Sequence, residues 1–409
     1  MLMEMLKNAR KDDVVRWALP ALYWAFALFV VACWLFARPP ELLEQENRYR
    51  ARWPYASLES VADSSWGKKV ESWMADHVPA REFFVGVYSY WRYASGRQAA
   101  ESIYRDSRGM LVEAPALLDA EDLLERLAKL ADFAESSGLP ATLIIPPSAG
   151  YIAKPYLPAR LWDGYHDDEI YRLAQGYLGD GVGPSSSPNS SPSSGSSHGS
   201  TSSLKLCDLR PAFEAAGGEQ LLFYRTDHHW TMRGAYAAYT ALGAQLGYAP
   251  LAPSDFSISR YPGFFGTTYS RSGLWFTPGD EVEAWELRGG AWSVRFSDAE
   301  GKEWGSMHFL QNLEKKDKYQ IYLDGNHPLA VVENLANGGE GGTLLVIKDS
   351  YADSLVPLLA AHYAKLVLVD PRYYRSPASE LLDAHGVDEV LMVYSMENIA
   401  NNMDIMRLR

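Results

Sequence analysis

The sequence predicts an α/β protein: a three-layer α/β/α domain with a parallel sheet and a β-rich insertion, preceded by one N-terminal transmembrane helix. Three observations carry that expectation. The last third alternates apolar runs with amphipathic stretches, reading as strand 343–348, helix 351–364, strand 365–370, helix 378–386 and strand 388–394. That alternation is the pattern of a parallel sheet with crossover helices. Thr142-Leu143-Ile144-Ile145, running into Pro146-Pro147, is a buried strand of the same kind from much earlier in the chain. Trp17 to Phe36 is a continuous apolar stretch of about the length a bilayer requires.

Taken in order, the chain begins with a short segment, 1–15, holding Lys7, Arg10 and Lys11, with Arg16 directly after it. The apolar span 16–37 follows, and Glu41, Glu44 and Glu46 come after it. Positive charge before the span and negative charge after it place the N-terminus inside and the rest of the chain outside the cell membrane. A cleaved signal peptide fits poorly, because Leu35 and Ala37 make no small-x-small site. Val30-Val31-Ala32-Cys33 loosely resembles a lipoprotein box, so lipidation of Cys33 stays open. Residues 38–105 read as a membrane-proximal helical segment, rich in Trp and Arg and broken at Trp53-Pro54.

The main domain is expected over 106–409. Asp119 is a natural N-cap for a helix whose apolar face is Leu123, Leu124, Leu127, Leu130 and Ala134, ended by Gly138. Residues 181–203 are dominated by Ser, Gly and Pro and cannot bury enough surface to offset their ordering entropy. They are expected to be a disordered loop within the domain, and His198 there is no metal ligand. Thr231 to Gly247 is an alanine-rich helix. Residues 251–320 read as the β-rich insertion, with Gly289-Gly290 between two strand-like runs as a hairpin signal.

Composition narrows the function. With 47% hydrophobic and 13% aromatic residues the chain is globular, and a net charge of −13 argues against nucleic acid. Its 13 Trp and 25 Tyr could stack on sugar rings, although core packing accounts for most aromatic residues. Cys33 lies in the apolar run and Cys207 in the main domain, so no disulfide staples the exported part.

The chemistry sits in two motifs. Asp227-His228-His229-Trp230 is followed about 120 residues later by Lys348-Asp349-Ser350-Tyr351. Together they supply an acid, a base and a hydroxyl. In an extended segment Asp227 and His229 point to one side and His228 away, so Asp227 can orient His229 as base for Ser350. Ser350 follows a strand and precedes a helix, at the carboxyl edge where parallel sheets place their sites. His229 lies just before a helix N-terminus, whose dipole disfavours the imidazolium. The competing readings are a structural Asp-His pair, a metal site, and Ser350 as a simple N-cap. No zinc-type spacing is present, adjacent histidines are expected to project apart, and neither a metal nor a cofactor is called for. Asp349 reads as a turn residue.

The two motifs, with Asp76-His77-Val78-Pro79-Ala80-Arg81-Glu82 and Tyr322-Leu323-Asp324-Gly325-Asn326, resemble the DHHW family. That family is related to the alginate O-acetyltransferases X and J, within the wider SGNH-hydrolase-like group. The resemblance covers most of residues 65–396. Lys348 stands where SGNH hydrolases commonly have glycine, and Asp and His precede Ser; both departures match the alginate-type branch. The resemblance implies an SGNH-like fold and a membrane-anchored O-acetyltransferase acting on a cell-surface or exopolysaccharide. Its partner would be a multi-pass membrane-bound O-acyltransferase that delivers the acyl group. The same residues could serve a polysaccharide acetylesterase, and a non-catalytic polysaccharide-binding or assembly protein is the rival of another class. For the oxyanion the first donor expected is the Ser350 N–H. Tyr351, Arg372, Tyr373, Gly325 and Asn326 are candidate substrate contacts.

Overall fold

The structure, a computed structural model, describes residues 11–36, 41–43, 48–97, 103–179, 203–217 and 221–409. Residues 181–202 of the serine-rich segment, His198 among them, lie outside the described residues, as do Lys7 and Arg10. The chain divides into two compact units, residues 1–100 and 101–409.

In the first unit the apolar stretch forms helix α1 (Lys11–Phe36), with Pro20 inside it. Many of its large side chains are exposed, among them Trp17, Leu22, Trp24 and Phe29. Among the described residues, however, no helix is long and apolar enough to cross a membrane. The side chains of residues 11–16, Leu19, Val30 and residues 33–36 are outside that set. The structure therefore lends the expected anchor no support of its own. Two further helices, α2 (Ser65–His77) and α3 (Arg81–Ala94), meet at a tight corner. The motif from Asp76 to Glu82 builds that corner. Asp76 is buried, accepts a hydrogen bond from the Ala51 N–H at 2.8 Å and faces Arg81 at 3.8 Å, while Ala80 adopts φ 53°. This motif is thus a structural brace of the first unit.

The second unit opens with a small ribbon, β1 (Ile103–Arg105) and β2 (Leu111–Glu113). Its core is a seven-stranded sheet. The strands are β3 (Ala141–Ile144), β4 (Leu204–Cys207), β7 (Trp292–Phe296), β8 (Leu329–Asn334), β9 (Thr343–Lys348), β10 (Lys365–Val369) and β11 (Glu389–Val393). Their spatial order is β4-β3-β11-β9-β10-β8-β7. The first five run parallel, and β8 and β7 are antiparallel additions at one edge. The sheet is therefore mixed, where the sequence pattern suggested a parallel one. All six residues of β9 are buried, as expected of a strand covered on both faces.

Alternation along the strands separates the two faces. Leu344, Val346, Leu366, Leu368 and Leu391 pack with helices α6 (Arg210–Ala216), α7 (Met232–Leu242) and α8 (Ala352–Leu359). Leu345, Ile347, Val367, Val390 and Met392 pack with α4 (Ala120–Ser137), α5 (Asp167–Leu178), α9 (Glu380–His385) and α10 (Met396–Asn401). Helix, sheet and helix make three layers. The cap of α4 matches its sequence reading: the Asp119 carboxylate accepts from the Glu121 and Asp122 N–H groups, and Gly138 ends the helix at φ 66°. Helix α8 is shorter than the 351–364 expected, with Pro357 in its second turn.

The insertion differs from its expected pairing. β5 (Phe256–Phe264) and β6 (Asp280–Leu287) pair with each other, and β7 instead joins the main sheet beside β8, a strand the pattern did not reveal. A turn does form at Gly289, where φ is 78° and the Gly290 N–H reaches the Leu287 carbonyl. It is not a hairpin. The side chains of Val294 and Phe296 enter the main core beside Val332 and Ala330, and cross-strand packing of that kind outweighs a local turn preference.

Candidate active site

The five parallel strands end on one edge, and the loops leaving β3, β9, β10 and β11 gather there. At the end of β9, Asp349 is buried and fully engaged. One carboxylate oxygen accepts the Tyr351 N–H at 2.9 Å; the other accepts the Ser395 N–H and the Asn398 side-chain amide, each at 2.7 Å. This clamps the turn that presents Ser350 and ties it to the loop after β11. Beneath the turn, Lys348 and Asp353 form a buried ion pair.

The second motif is held by a tight turn, not by an extended segment. Asp227 Oδ1 accepts both the His229 backbone N–H at 3.0 Å and His229 Nδ1 at 2.6 Å. His229 Nε2 lies 2.8 Å from Ser350 Oγ. With the Nδ1 proton given to Asp227, Nε2 carries the lone pair and can accept the serine proton. Trp230 docks the motif on the serine turn, its indole N–H facing the Tyr351 carbonyl at 3.0 Å and Ser354 Oγ at 2.8 Å. The expectation that the adjacent histidines project apart is corrected, because the turn brings their rings to 3.9 Å. His228 Nδ1 lies 2.6 Å from Thr267 Oγ1, and Tyr351 donates its hydroxyl to the His228 carbonyl.

Three supporting residues escaped sequence reasoning. Thr267 donates its N–H (2.7 Å) and hydroxyl (3.0 Å) to Asp227 Oδ2. Gly266 passes so close that a Cβ there would sit 2.2 Å from the same oxygen. Tyr319 stacks on His229, with ring centres 3.8 Å apart and planes 7° from parallel, and its hydroxyl donates to the Ser350 carbonyl at 3.1 Å. Thr267 and Tyr319 carry no local signal, since their partners are 40 and 31 residues away. Gly266, after Phe264-Phe265, offered only a generic turn signal.

Burial, and then the neighbouring His228, push His229 down to about 4, against the opposing pull of Asp227. This cause is stronger than the helix dipole the sequence suggested. Burial alone would raise the Asp227 carboxyl, but His228, His229 and the hydrogen bonds to it win, and it is held well below the usual range. At neutral pH the pair is carboxylate and neutral imidazole, ready to take a proton. Loss of the neutral base then occurs only as pH falls through about 4. Ester turnover should stay level from pH 8 down to about 5, whereas an ordinary imidazole would halve it near ~6.5. A kcat/KM profile with its acid midpoint between 6 and 7 would contradict this.

Asp227, His228 and His229 could offer three metal-ligand atoms within 4.8 Å of one another. Yet His229 uses both ring nitrogens, and His228 one, in the hydrogen bonds above. A metal would have to displace them, so the group fits an acid-base relay better. Among the described residues the Ser350 N–H donates to no protein acceptor, leaving it available to a developing oxyanion.

The candidate substrate contacts separate. Tyr351 lines a 220 Å³ cavity whose wall also includes Asp227 and His228. Arg372, Tyr373, Gly325 and Asn326 do not line it. Arg372 is held by Asp370 at the end of β10 (2.6 Å) and reaches Asn326 at 3.2 Å. Tyr373 is exposed beside it, within cation–π distance. Gly325 closes a turn in which Leu323, Asp324 and Gly325 all have positive φ.

Comparison with known proteins agrees with the motifs. Residues 213–369 match the sequence profile of the DHHW protein family. Comparison with curated protein sequences yields no match. Among solved structures, a DHHW family protein from Eubacterium siraeum aligns with TM-score 0.60 at 19% identity, over 74% of this chain and 94% of that one. PatB1 of Bacillus cereus, solved with a sulfonyl adduct, aligns with TM-score 0.57 at 18% identity, over 75% of this chain and 100% of that one. The O-acetyltransferase domain of Pseudomonas putida AlgJ gives TM-score 0.43 at 14% identity, over 74% of this chain and 94% of that one. The first two likenesses show a shared fold. Over residues 213–369, the stretch that holds Asp227, His229 and Ser350, the chain is similar to the DHHW protein family.

Proposed function

We propose that the chain is an O-acyltransferase, by its resemblance an acetyltransferase, that acylates a cell-surface or exported polysaccharide through an acyl-serine intermediate. The observation that carries this reading is the 2.8 Å contact of His229 Nε2 with Ser350 Oγ, with Asp227 on the far side of the ring. Ser350 Oγ attacks the acyl carbonyl while its proton passes to His229, and the Ser350 N–H meets the charge on the carbonyl oxygen. The leaving alcohol takes the proton from His229. A sugar hydroxyl then gives its proton to His229 and attacks the acyl-serine; collapse forms the sugar ester and returns the proton to Ser350.

In this reading residues 16–37 hold the domain outside the membrane. The apolar run Trp17 to Phe36, with Lys7, Arg10, Lys11 and Arg16 before it, is the sequence feature that supports that placement. Cytoplasmic acetyl-coenzyme A is then out of reach, and a multi-pass membrane-bound O-acyltransferase is the partner that delivers acyl groups. Tethering keeps the domain at a high effective concentration beside that source.

A membrane-impermeant, serine-reactive phosphonate probe tests both parts. Applied to intact spheroplasts it should label Ser350, found by peptide mass spectrometry, with no label in Ser350→Ala. Labelling only after lysis would overturn the orientation. Absence of label before and after lysis would overturn the nucleophile.

A further inference from the structure

The cavity beside the triad carries a charge pattern that selects its occupant. It is bounded by the end of β2, the loops after β3, β9 and β11, and the triad turn. At 220 Å³ it is smaller than the ~300–1,000 Å³ usual for drug-sized ligands, a size suited to a single sugar ring. Four carboxyl groups line it, those of Glu113, Asp167, Asp227 and Glu397, against one guanidinium, Arg271. That guanidinium is already engaged by Glu113. Asp167 is turned into the protein, accepting the Ser148 N–H at 2.7 Å and the Ser148 hydroxyl at 2.9 Å. Glu113 and Glu397 are the acids left at the mouth. Partial burial and then the Glu113 carboxylate beside it raise the Glu397 carboxyl above its usual range, while His228 and Arg271 oppose them.

A negatively charged ring entering here would meet the Glu397 carboxyl and a Glu113 carboxylate already paired with Arg271, with no uncommitted cation among the described lining residues. Its own carboxylate would lose water without gaining a partner, a strong penalty. A ring carrying only hydroxyls has the opposite fit, since each hydroxyl can donate to a carboxylate oxygen. We infer that the acyl acceptor of this site is an uncharged, hydroxyl-bearing sugar residue of a neutral glycan, and that Glu113 and Glu397 are the residues that exclude uronic acid polymers.

This inference rests on the acyltransferase reading of the same site, and the experiment separates the two. The full-length protein is given nitrophenyl acetate as donor, with either a neutral β-linked hexose oligomer or an oligouronate of equal length as acceptor. Acetylated glycan is measured by mass spectrometry and nitrophenol release by absorbance. The neutral oligomer should be acetylated in preference by roughly tenfold or more. In Glu397→Lys, and in Glu113→Gln combined with Glu397→Gln, that ratio should fall at least about fivefold toward the uronate. Thermal unfolding confirms that each variant is folded, and comparison of two different variants guards against one misfolding. Equal or preferred acetylation of the uronate, an unchanged ratio in both folded variants, or acetylation of neither glycan while Ser350-dependent nitrophenol release persists would each overturn the inference. Nitrophenol release that does not depend on Ser350 would instead remove the acyltransferase reading beneath it.

Discussion

Replacing Ser350 by alanine should reduce Ser350-dependent ester turnover to background, a loss on the order of 10⁴ to 10⁶ in kcat. The hydroxyl is the atom on which the acyl group would rest, and it lies 2.8 Å from His229 Nε2. The loss should be in kcat, because the cavity wall proposed to bind the acceptor is formed by other residues. The turn itself should survive: its clamps run to Asp349 and to the Tyr351 N–H, none of them through Ser350 Oγ. The measurement is nitrophenol release by the full-length protein, alongside its circular dichroism and melting temperature. Turnover within tenfold of wild type in a folded Ser350→Ala protein would sink the nucleophile assignment and leave the Asp-His pair as a structural feature.

Asp227→Asn should cost nearly as much, on the order of 10³ to 10⁴ in kcat. In the native site one oxygen accepts from Thr267 and the other from His229. An asparagine would keep its carbonyl oxygen toward the Thr267 N–H and turn its amide N–H groups toward His229 Nδ1. That forces the proton of His229 onto Nε2, where it faces Ser350 and cannot accept. The His229 backbone N–H also loses its acceptor, so a stability loss of about 1–3 kcal/mol accompanies the change. Gly266→Ala offers a second route to the same defect, since its Cβ would press on the unaltered carboxylate at 2.2 Å. A sharp fall in turnover in both variants, with His228→Ala much milder, is the expected result. An Asp227→Asn enzyme within tenfold of wild type would show that His229 needs no acidic partner.

The sequence by itself determined a good deal. Strands such as Thr343–Lys348 are read from unbroken apolar runs, because a strand buried on both faces must be apolar throughout. The cap of α4 is read from Asp119 and Gly138, because capping is a local event. The motif residues Asp227, His229 and Ser350 were legible as chemistry, since few combinations of acid, base and hydroxyl sit beside a strand end in that way. Tertiary structure decided the rest. Whether Trp292–Phe296 pairs with its neighbour in sequence or joins the main sheet depends on which core Val294 and Phe296 can fill, and no local turn encodes that. The stacking of Tyr319 on His229, the grip of Thr267 on Asp227 and the space reserved by Gly266 are contacts across long stretches of chain. The low pKa of His229 follows from burial that only the assembled fold supplies. Local rules reveal which groups a chain owns; their charge state, spacing and choice of partner are set by the surroundings that distant segments bring to them.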